Sequence, residues 1–194
     1  MSADAATHDA DHGVREIWTI GHSTRTLEEF LALLDTYAIE ALADVRRFPG
    51  SRRHPYFQRD ELAISVPAHG IAYQWLPKLG GRRRVLRDSP NGAWRNASFQ
   101  GYADYMGSTE FAKGLDELLS FASGRRTTLM CAEAVWWRCH RSMISDLLCV
   151  RGIEVIHIID AKHSSPHPYT APARVLDGQL TYVADAGEPL RADR

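Results

Sequence analysis

The stretch Leu129-Met-Cys-Ala-Glu-Ala-Val-Trp-Trp-Arg-Cys-His-Arg141 is the part of the sequence that indicates the fold most clearly. An apolar run at 127–130 leads into it and an amphipathic run at 142–150 leads out of it, so a buried strand ends and a helix begins here. Open α/β sheets bind their ligands at such junctions. Because two thiols, a carboxylate, an imidazole and two guanidinium groups lie in the stretch, the sequence predicts a functional site.

Strands and helices alternate along the rest of the chain. The patterns predict strands at 16–20, 39–45, 71–76, 127–130 and 154–159, and helices at 27–37, 60–66, 98–106, 109–121 and 141–150. Thr26 and Glu29 form a capping box, and Asp177-Gly178 predicts a late hairpin. Such alternation is typical of βαβ units, so we expect an α/β fold, a single-domain Rossmann-like three-layer sandwich with a mainly parallel sheet.

Composition limits the possible classes of protein. With 194 residues, 44% of them hydrophobic, the chain forms one core, and we expect one domain over 15–184, a disordered tail at 1–14 and a flexible tail at 185–194. The net charge of −1 and the lack of a long apolar run argue against a membrane partner. Three cysteines and an acidic, polar beginning favour a reduced, cytoplasmic protein.

Polar residues follow several of the predicted strands and should converge at the carboxyl edge of the sheet. His157, in the predicted strand at 154–159, is a further candidate for the carboxyl edge of the sheet. We expect the catalytic groups to be Glu133, Asp44, His22 and His140. We expect the binding groups to be Ser23, Arg46, Cys131, Cys139, Arg141, Tyr73 and Tyr102.

Three of these positions have alternative interpretations. Glu133 is a general base or nucleophile, or it pairs with Arg141 or Arg46. Asp44 orients a water or hydroxyl, or it pairs with Arg46. The turn at 21–24 cradles an anion with its backbone N–H groups, or it is an ordinary turn before a helix.

The cysteines also allow several kinds of chemistry. Cys131, Cys139 and His140 suggest zinc, but structural zinc sites usually have closer cysteine pairs, so we expect no metal and keep zinc as the alternative. A phosphatase loop needs arginine six residues after the cysteine, and this chain has Trp137 there. We therefore assign Cys131 to the wall of the site, and Cys149 to the core.

A basic segment with interspersed aromatic residues occupies 44–95. It contains eleven lysines and arginines against four acidic residues, and the irregular stretch 78–97 within it predicts a long loop. Basic loops with aromatic residues are typical of phosphate contacts and base stacking, although a solvated loop has the same composition. We expect a phosphate-bearing small molecule or nucleic acid as partner, with the loop as a lid or contact arm.

Seven motifs in this order resemble one known family. They are Thr19-Ile-Gly-His-Ser-Thr24, Asp44-Val-Arg46 with Pro49 and Ser51, Leu76-Pro-Lys-Leu-Gly-Gly81, Trp94-Arg-Asn-Ala-Ser-Phe99, Gly101-Tyr-Ala-Asp-Tyr-Met106, Met130-Cys-Ala-Glu133 and Cys139-His-Arg141. The chain is similar over about 17–183 to the bacterial domain-of-unknown-function family 488. The resemblance implies a single α/β domain with a site built from these motifs, and it implies no reaction. Trp136 departs from the pattern, since many members have proline or a small residue there.

Two functions from different classes remain. The first is a hydrolytic enzyme that cleaves an N-glycosidic or phosphoester bond in a nucleotide or nucleic acid. Glu133 or Asp44 would be its acid–base group, and Arg46 and Arg141 would hold phosphate. The alternative is a binding module without catalysis that recognises a phosphate ligand or senses metal or oxidation through its cysteines.

Overall fold

Six strands form the central sheet of this protein, which a computed structural model describes over residues 12–50 and 53–184. The strands are β1 (Glu16–Gly21), β2 (Ala41–Asp44), β3 (Ala72–Trp75), β4 (Thr127–Cys131), β5 (Glu154–Ile158) and β6 (Ser164–Pro166). Their spatial order is β3-β2-β4-β1-β5-β6, and only β6 pairs antiparallel with its neighbour. The carboxyl ends of β2, β4 and β1 therefore lie side by side.

Five α-helices flank the sheet within the described residues. They are α1 (Leu27–Thr36), α2 (Arg59–Ala68), α3 (Ala97–Met106), α4 (Thr109–Ala122) and α5 (Arg141–Val150). Helices α1 and α2 share a core with one face of the sheet, and α3, α4 and α5 share a core with the other face. The expected α/β class, with a mainly parallel sheet in a Rossmann-like three-layer sandwich, is confirmed.

Side chains alternate between these two cores along each strand. In β4, Leu129 and Cys131 face α4 and α5, whereas Met130 faces α1 and α2. In β2, Ala43 faces the α4 side and Leu42 the α1 side. Successive side chains of a strand point to opposite faces, so neighbouring residues at one strand end enter different environments.

Local sequence signals give the expected elements with small differences. The Thr26–Glu29 capping box is present, and Asp177 and Gly178, with φ of 50° and 75°, join β7 (Arg174–Leu176) to β8 (Gln179–Thr181). Helix α2 continues through Pro67 to Ala68, two residues past its expected end at 66. This is possible because a proline in the last turn removes only one helical hydrogen bond.

The two expected tails lie largely outside the described residues, as do Ser51 and Arg52. Residues 12–14 of the first tail are described, and Val14 packs against the core. Among the described helices, none combines the length and apolar character that crossing a bilayer requires.

Candidate functional site

A cleft of about 350 Å³ lies at the carboxyl ends of β2 and β4. Arg46 to Phe48 follow β2, and residues 131–133 and 138–140 flank the turn between β4 and α5. The complete lining is Arg46, Arg47, Phe48, Gly81, Arg82, Asn96, Ser98, Phe99, Tyr102, Cys131, Ala132, Glu133, Arg138, Cys139 and His140. The cleft therefore brings six of the eleven predicted site residues together.

Two thiols and an imidazole lie in contact at the base of this cleft. The sulfurs of Cys131 and Cys139 and a ring nitrogen of His140 all lie within 4.8 Å of one another. Cys139 Sγ is 3.6 Å from His140 Nδ1, and neither cysteine is in a disulfide. Cys131 ends β4 and the other two residues precede α5, so the turn between these elements creates the cluster.

The two thiols have opposite pKa shifts. A hydrogen bond from Cys139 lowers the pKa of Cys131 well below its ordinary value, and the His140 ring and the Glu133 N–H lower it further. Burial raises the pKa of Cys139 well above its ordinary value, and the Cys131 sulfur raises it further. The arrangement thus favours a thiolate on Cys131 and a proton on Cys139.

His140 is held in a defined orientation. Its Nε2 lies 3.1 Å from the carbonyl oxygen of Val45, so that nitrogen donates its N–H there and Nδ1 is directed toward the cysteines. The ring also packs edge-on against Tyr102, whose centroid is 5.0 Å away. Tyr102 is fully buried and donates its hydroxyl to Leu79 O at 2.7 Å, so it acts as a support for the imidazole.

Glu133 is an exposed carboxylate at the rim of the cleft. In residues 12–50 and 53–184 it forms no ion pair, so neither arginine proposed as its partner neutralises it. Arg141 is instead buried and donates to Ile20 O at 2.7 Å and Ala134 O at 2.9 Å. These two bonds connect the β4–α5 turn to β1. Arg141 does not line the cleft.

Asp44 lies behind the cleft and pairs with Arg46. The arginine donates Nε to Oδ1 at 2.8 Å and Nη2 to Oδ2 at 2.6 Å, and the Tyr73 hydroxyl donates to Oδ2 at 2.9 Å. Asp44 is fully buried, so the pairing alternative describes its environment. Tyr73 joins this pair and is absent from the cleft lining.

His22 completes this second group. Its Nε2 accepts from Arg46 Nη1 at 3.2 Å, and its Nδ1 lies 3.0 Å from Ser23 O. Burial, with the Arg46 charge as second cause, lowers the pKa of His22 to about 4, so the ring is neutral at pH 7. The ring stacks on Phe57, which places it on the α1–α2 side of the sheet and outside the cleft.

Two backbone N–H groups of the turn at 21–24 are already bonded within the chain and are not free to bind an anion. The N–H of His22 donates to Cys131 O at 3.0 Å, and the N–H of Ser23 donates to Ala132 O at 2.9 Å. These bonds extend the β1–β4 ladder past the strand ends. The turn therefore fixes the chain that carries the thiol, as an ordinary structural turn would.

Positive charge surrounds the mouth of the cleft. Arg47, Arg82 and Arg138 line it, and none has a carboxylate partner in the described part of the chain. Asn96 caps α3 by accepting from Ser98 N at 2.8 Å, and both residues line the cleft, so a positive helix end faces it. The aromatic Phe48 at the mouth is 64% exposed.

A buried network behind the turn was not anticipated from the sequence. Asp146 accepts from His167 at 2.9 Å, His167 contacts His157 at 2.8 Å, and His157 contacts Thr19 at 2.6 Å. His157 lies within β5, before the strand ends, so it is not at the carboxyl edge of the sheet. Trp136 stacks on its ring with centroids 4.4 Å apart, which anchors the β4–α5 turn.

A larger cavity, about 710 Å³, lies elsewhere, between α3, α5 and the β7–β8 hairpin. It contains none of the predicted site residues and no part of the cysteine cluster. Volume alone therefore does not identify the site; the convergence of ionisable groups does.

Comparison with known proteins gives one match. The model of the family described as Domain of unknown function DUF488 matches residues 26–148. Neither the curated proteins nor the solved structures give a match to the chain. The matched segment covers more than half of the chain and includes β2, β4 and the turn that forms the cysteine cluster. This protein is therefore a member of the DUF488 family.

Proposed function

We propose that this protein is a hydrolytic enzyme that acts on a nucleotide or nucleic-acid substrate in the cleft, with Glu133 as its acid–base group. The observation that carries the proposal is the position of Glu133. It is a carboxylate without an ion pair in the described residues, and the other charged side chains at the mouth of its cleft are arginines.

The charges at the mouth support a phosphate-bearing substrate. Arg47, Arg82 and Arg138 offer guanidinium donors, which bind phosphate in a two-pronged geometry. The α3 N-terminus adds a favourable dipole for an anion. Exposed Phe48 offers a face on which a base would stack.

The chemistry follows from the placement of these groups. Glu133 takes a proton from a water molecule, and the water oxygen forms a bond to phosphorus or to the anomeric carbon. The bond to the leaving group breaks, and the protonated Glu133 returns its proton to that group. Arg82 and Arg138 hold the phosphate, and the identity of the product shows which bond is cleaved.

A substitution that keeps the shape of Glu133 tests the proposal. Glu133→Gln removes the proton-transfer capacity, so we expect hydrolysis to fall by roughly 10²–10⁴-fold while substrate binding is retained. Nucleotides and single-stranded oligonucleotides are screened by thermal shift at low salt, and products are separated by chromatography. Binding should weaken with added salt, because the contacts are to phosphate.

The matched control is Glu110→Gln, which removes an exposed carboxylate on α4 outside the cleft. Wild-type activity in this variant and loss in Glu133→Gln would support the assignment. Equal activity in both variants, or no nucleotide bound by the wild type at low salt, would contradict it.

The contact between Cys131 and Cys139 favours a second candidate, a binding module that senses oxidation. Thiols in hydrogen-bonding contact are near enough for a small movement to form a disulfide. In that case a phosphate ligand would bind without turnover, and mild oxidation would change its affinity. A nucleotide that binds unchanged for hours would support this candidate over the hydrolase.

A further inference from the structure

We propose that Cys131, Cys139 and His140 bind a zinc ion, with an open coordination position toward the cleft. The three residues are the only group of this kind in the described part of the chain whose donor atoms are close enough to share an ion. Two sulfurs and one imidazole nitrogen form a donor set that zinc prefers.

The distances fit one tetrahedral ion. Zinc–sulfur bonds of about 2.3 Å and zinc–nitrogen bonds of about 2.0 Å place neighbouring donors about 3.3–3.8 Å apart. Cys139 Sγ and His140 Nδ1 are 3.6 Å apart, and Cys131 Sγ is in hydrogen-bonding contact with Cys139. The chain would need little adjustment to accept the ion.

The orientation of His140 is an independent indication. A zinc-bound imidazole usually donates its other ring N–H to a carboxylate or a backbone carbonyl. Here Nε2 lies 3.1 Å from Val45 O, and this bond directs Nδ1 at the sulfurs. A pair of thiols alone would not require an imidazole fixed in this way.

The number of donors indicates a reactive rather than a structural ion. Structural zinc sites have four protein ligands, whereas catalytic sites have three and leave one position for water or substrate. No fourth donor belongs to the group within residues 12–50 and 53–184. Since all three residues line the cleft, the remaining position faces the space that the substrate would occupy.

The proposal that these residues bind zinc does not depend on the proposed function. The catalytic role of the zinc ion rests on the proposed hydrolytic function. Zinc lowers the pKa of a bound water molecule toward neutrality. Glu133, two residues after Cys131, would then take the proton of that water, and the resulting hydroxide would attack the substrate. The ion thus gives the exposed carboxylate a more acidic water to deprotonate.

Metal analysis of the full-length, untagged protein tests the inference. Purified under reducing conditions with zinc in the medium, it should contain about one zinc ion per chain. Cys139→Ser and His140→Gln should reduce the zinc content to background. Cys149→Ser is the matched control and should keep it, because that cysteine lies outside the cluster.

A second measurement does not depend on whether the variants fold. Zinc is removed from the wild type with a chelator and replaced by cobalt, which should give a thiolate-to-cobalt charge-transfer band in the near ultraviolet. Adding zinc should remove that band. A wild type that contains no zinc and gives no such band with cobalt would overturn the proposal.

The two proposals fail in different ways. Glu133→Gln should retain zinc and lose hydrolysis. If the wild type holds zinc but cleaves no nucleotide, the hydrolytic function is wrong and the metal site stands. If nucleotides are cleaved by a protein that is free of zinc and does not bind it, the metal site is wrong and the hydrolytic function stands.

Discussion

Two glycines determine how closely the backbone approaches the site residues. A Cβ on Gly21 would lie 1.8 Å from the carbonyl oxygen of Glu133, so no other side chain fits while the β4–α5 turn keeps its path. A Cβ on Gly81 would lie 2.9 Å from His140 Nδ1 and 3.1 Å from Cγ of the same ring. Gly81 lies within the segment that the family model matches, and both glycines leave space for the neighbouring groups.

Gly81→Ala should displace His140 without unfolding the protein. The added methyl group is too close to the imidazole, and the ring would have to move away from the cysteines. We expect zinc affinity to fall by roughly 10–100-fold, as when a supporting contact to a ligand is lost. A competition titration with a chromophoric chelator measures this change.

Gly92→Ala is the matched control in the same loop. Its new Cβ would meet only the Cβ of Ala184, at 3.9 Å, which is an ordinary contact. If Gly92→Ala lowers the affinity as much as Gly81→Ala does, the effect comes from the loop and not from the imidazole.

Six residues of the cleft lining were among those expected from the sequence, but the division of the expected residues between two groups was not. Strand ends and helix starts indicated Cys131, Glu133 and His140 because these positions are local to one junction. Asp44 became a partner of Arg46 and Tyr73 because the pleat directs it to the opposite face from Cys131. That direction depends on the strand's register within the sheet, which one sequence does not reveal.

At the scale of elements, the β4–α5 turn is held from two sides. Arg141 bonds it to β1, and Trp136, in the short 3-10 helix Trp136–Arg138, stacks on His157 of β5. Cys131 lies at the β4 end of this turn, and Cys139 and His140 lie at its α5 end. The position of the turn therefore sets the distance between Cys131 and Cys139.

Trp136→Ala should loosen this turn. The half-buried ring loses its contact with His157, and we expect the free energy of unfolding to fall by about 2 kcal/mol, less than for a fully buried tryptophan. Urea denaturation measures the loss. Zinc affinity should fall as well, because the spacing of the two sulfurs is no longer fixed.

Trp137→Ala provides the comparison, since that ring is 55% exposed. A surface substitution of this kind usually changes stability by less than about 0.5 kcal/mol. Equal losses in the two variants would mean that the stacking on His157 does not anchor the turn.

Elements with strong local signals were predictable, and elements that depend on distant contacts were not. The capping box and the Asp177-Gly178 turn are set by a few neighbouring residues. Strand β6 has three residues, one of them a proline, and it exists because it pairs antiparallel with β5 at the sheet edge. Its sequence alone carries almost no strand signal.

At the scale of the whole molecule, the order of the strands places the cleft. Strand β4 enters the sheet between β2 and β1, so Val45 O and Cys131 become neighbours of the α5 start. Alternation along the chain predicts parallel strands but not this order, because the order depends on which helices pack on each face. The site thus combines local motifs with a topology that the motifs do not specify.

Two buried histidines on opposite faces of the sheet make the stability of the whole fold depend on pH. Burial lowers the pKa of His22 to about 4 and, with the neighbouring His167, that of His157 to about 2. The unfolded chain has ordinary histidine pKa values near 6.5. Below that pH the unfolded state takes up protons that the folded state does not, so stability is present at neutral pH and lost on acidification.

We therefore expect the free energy of unfolding to fall by roughly 2–4 kcal/mol between pH 7 and pH 5, since each histidine contributes about 1.4 kcal/mol per pH unit at most. Urea denaturation at several pH values measures this change. As a control, the slope of the unfolding free energy against urea concentration should stay constant, which shows that the unfolded state is unchanged. His157→Gln should lower stability at pH 7, because Thr19 and His167 lose their partner, and should reduce the pH dependence by about half. A variant that loses stability but keeps the full pH dependence would show that other groups bind the protons.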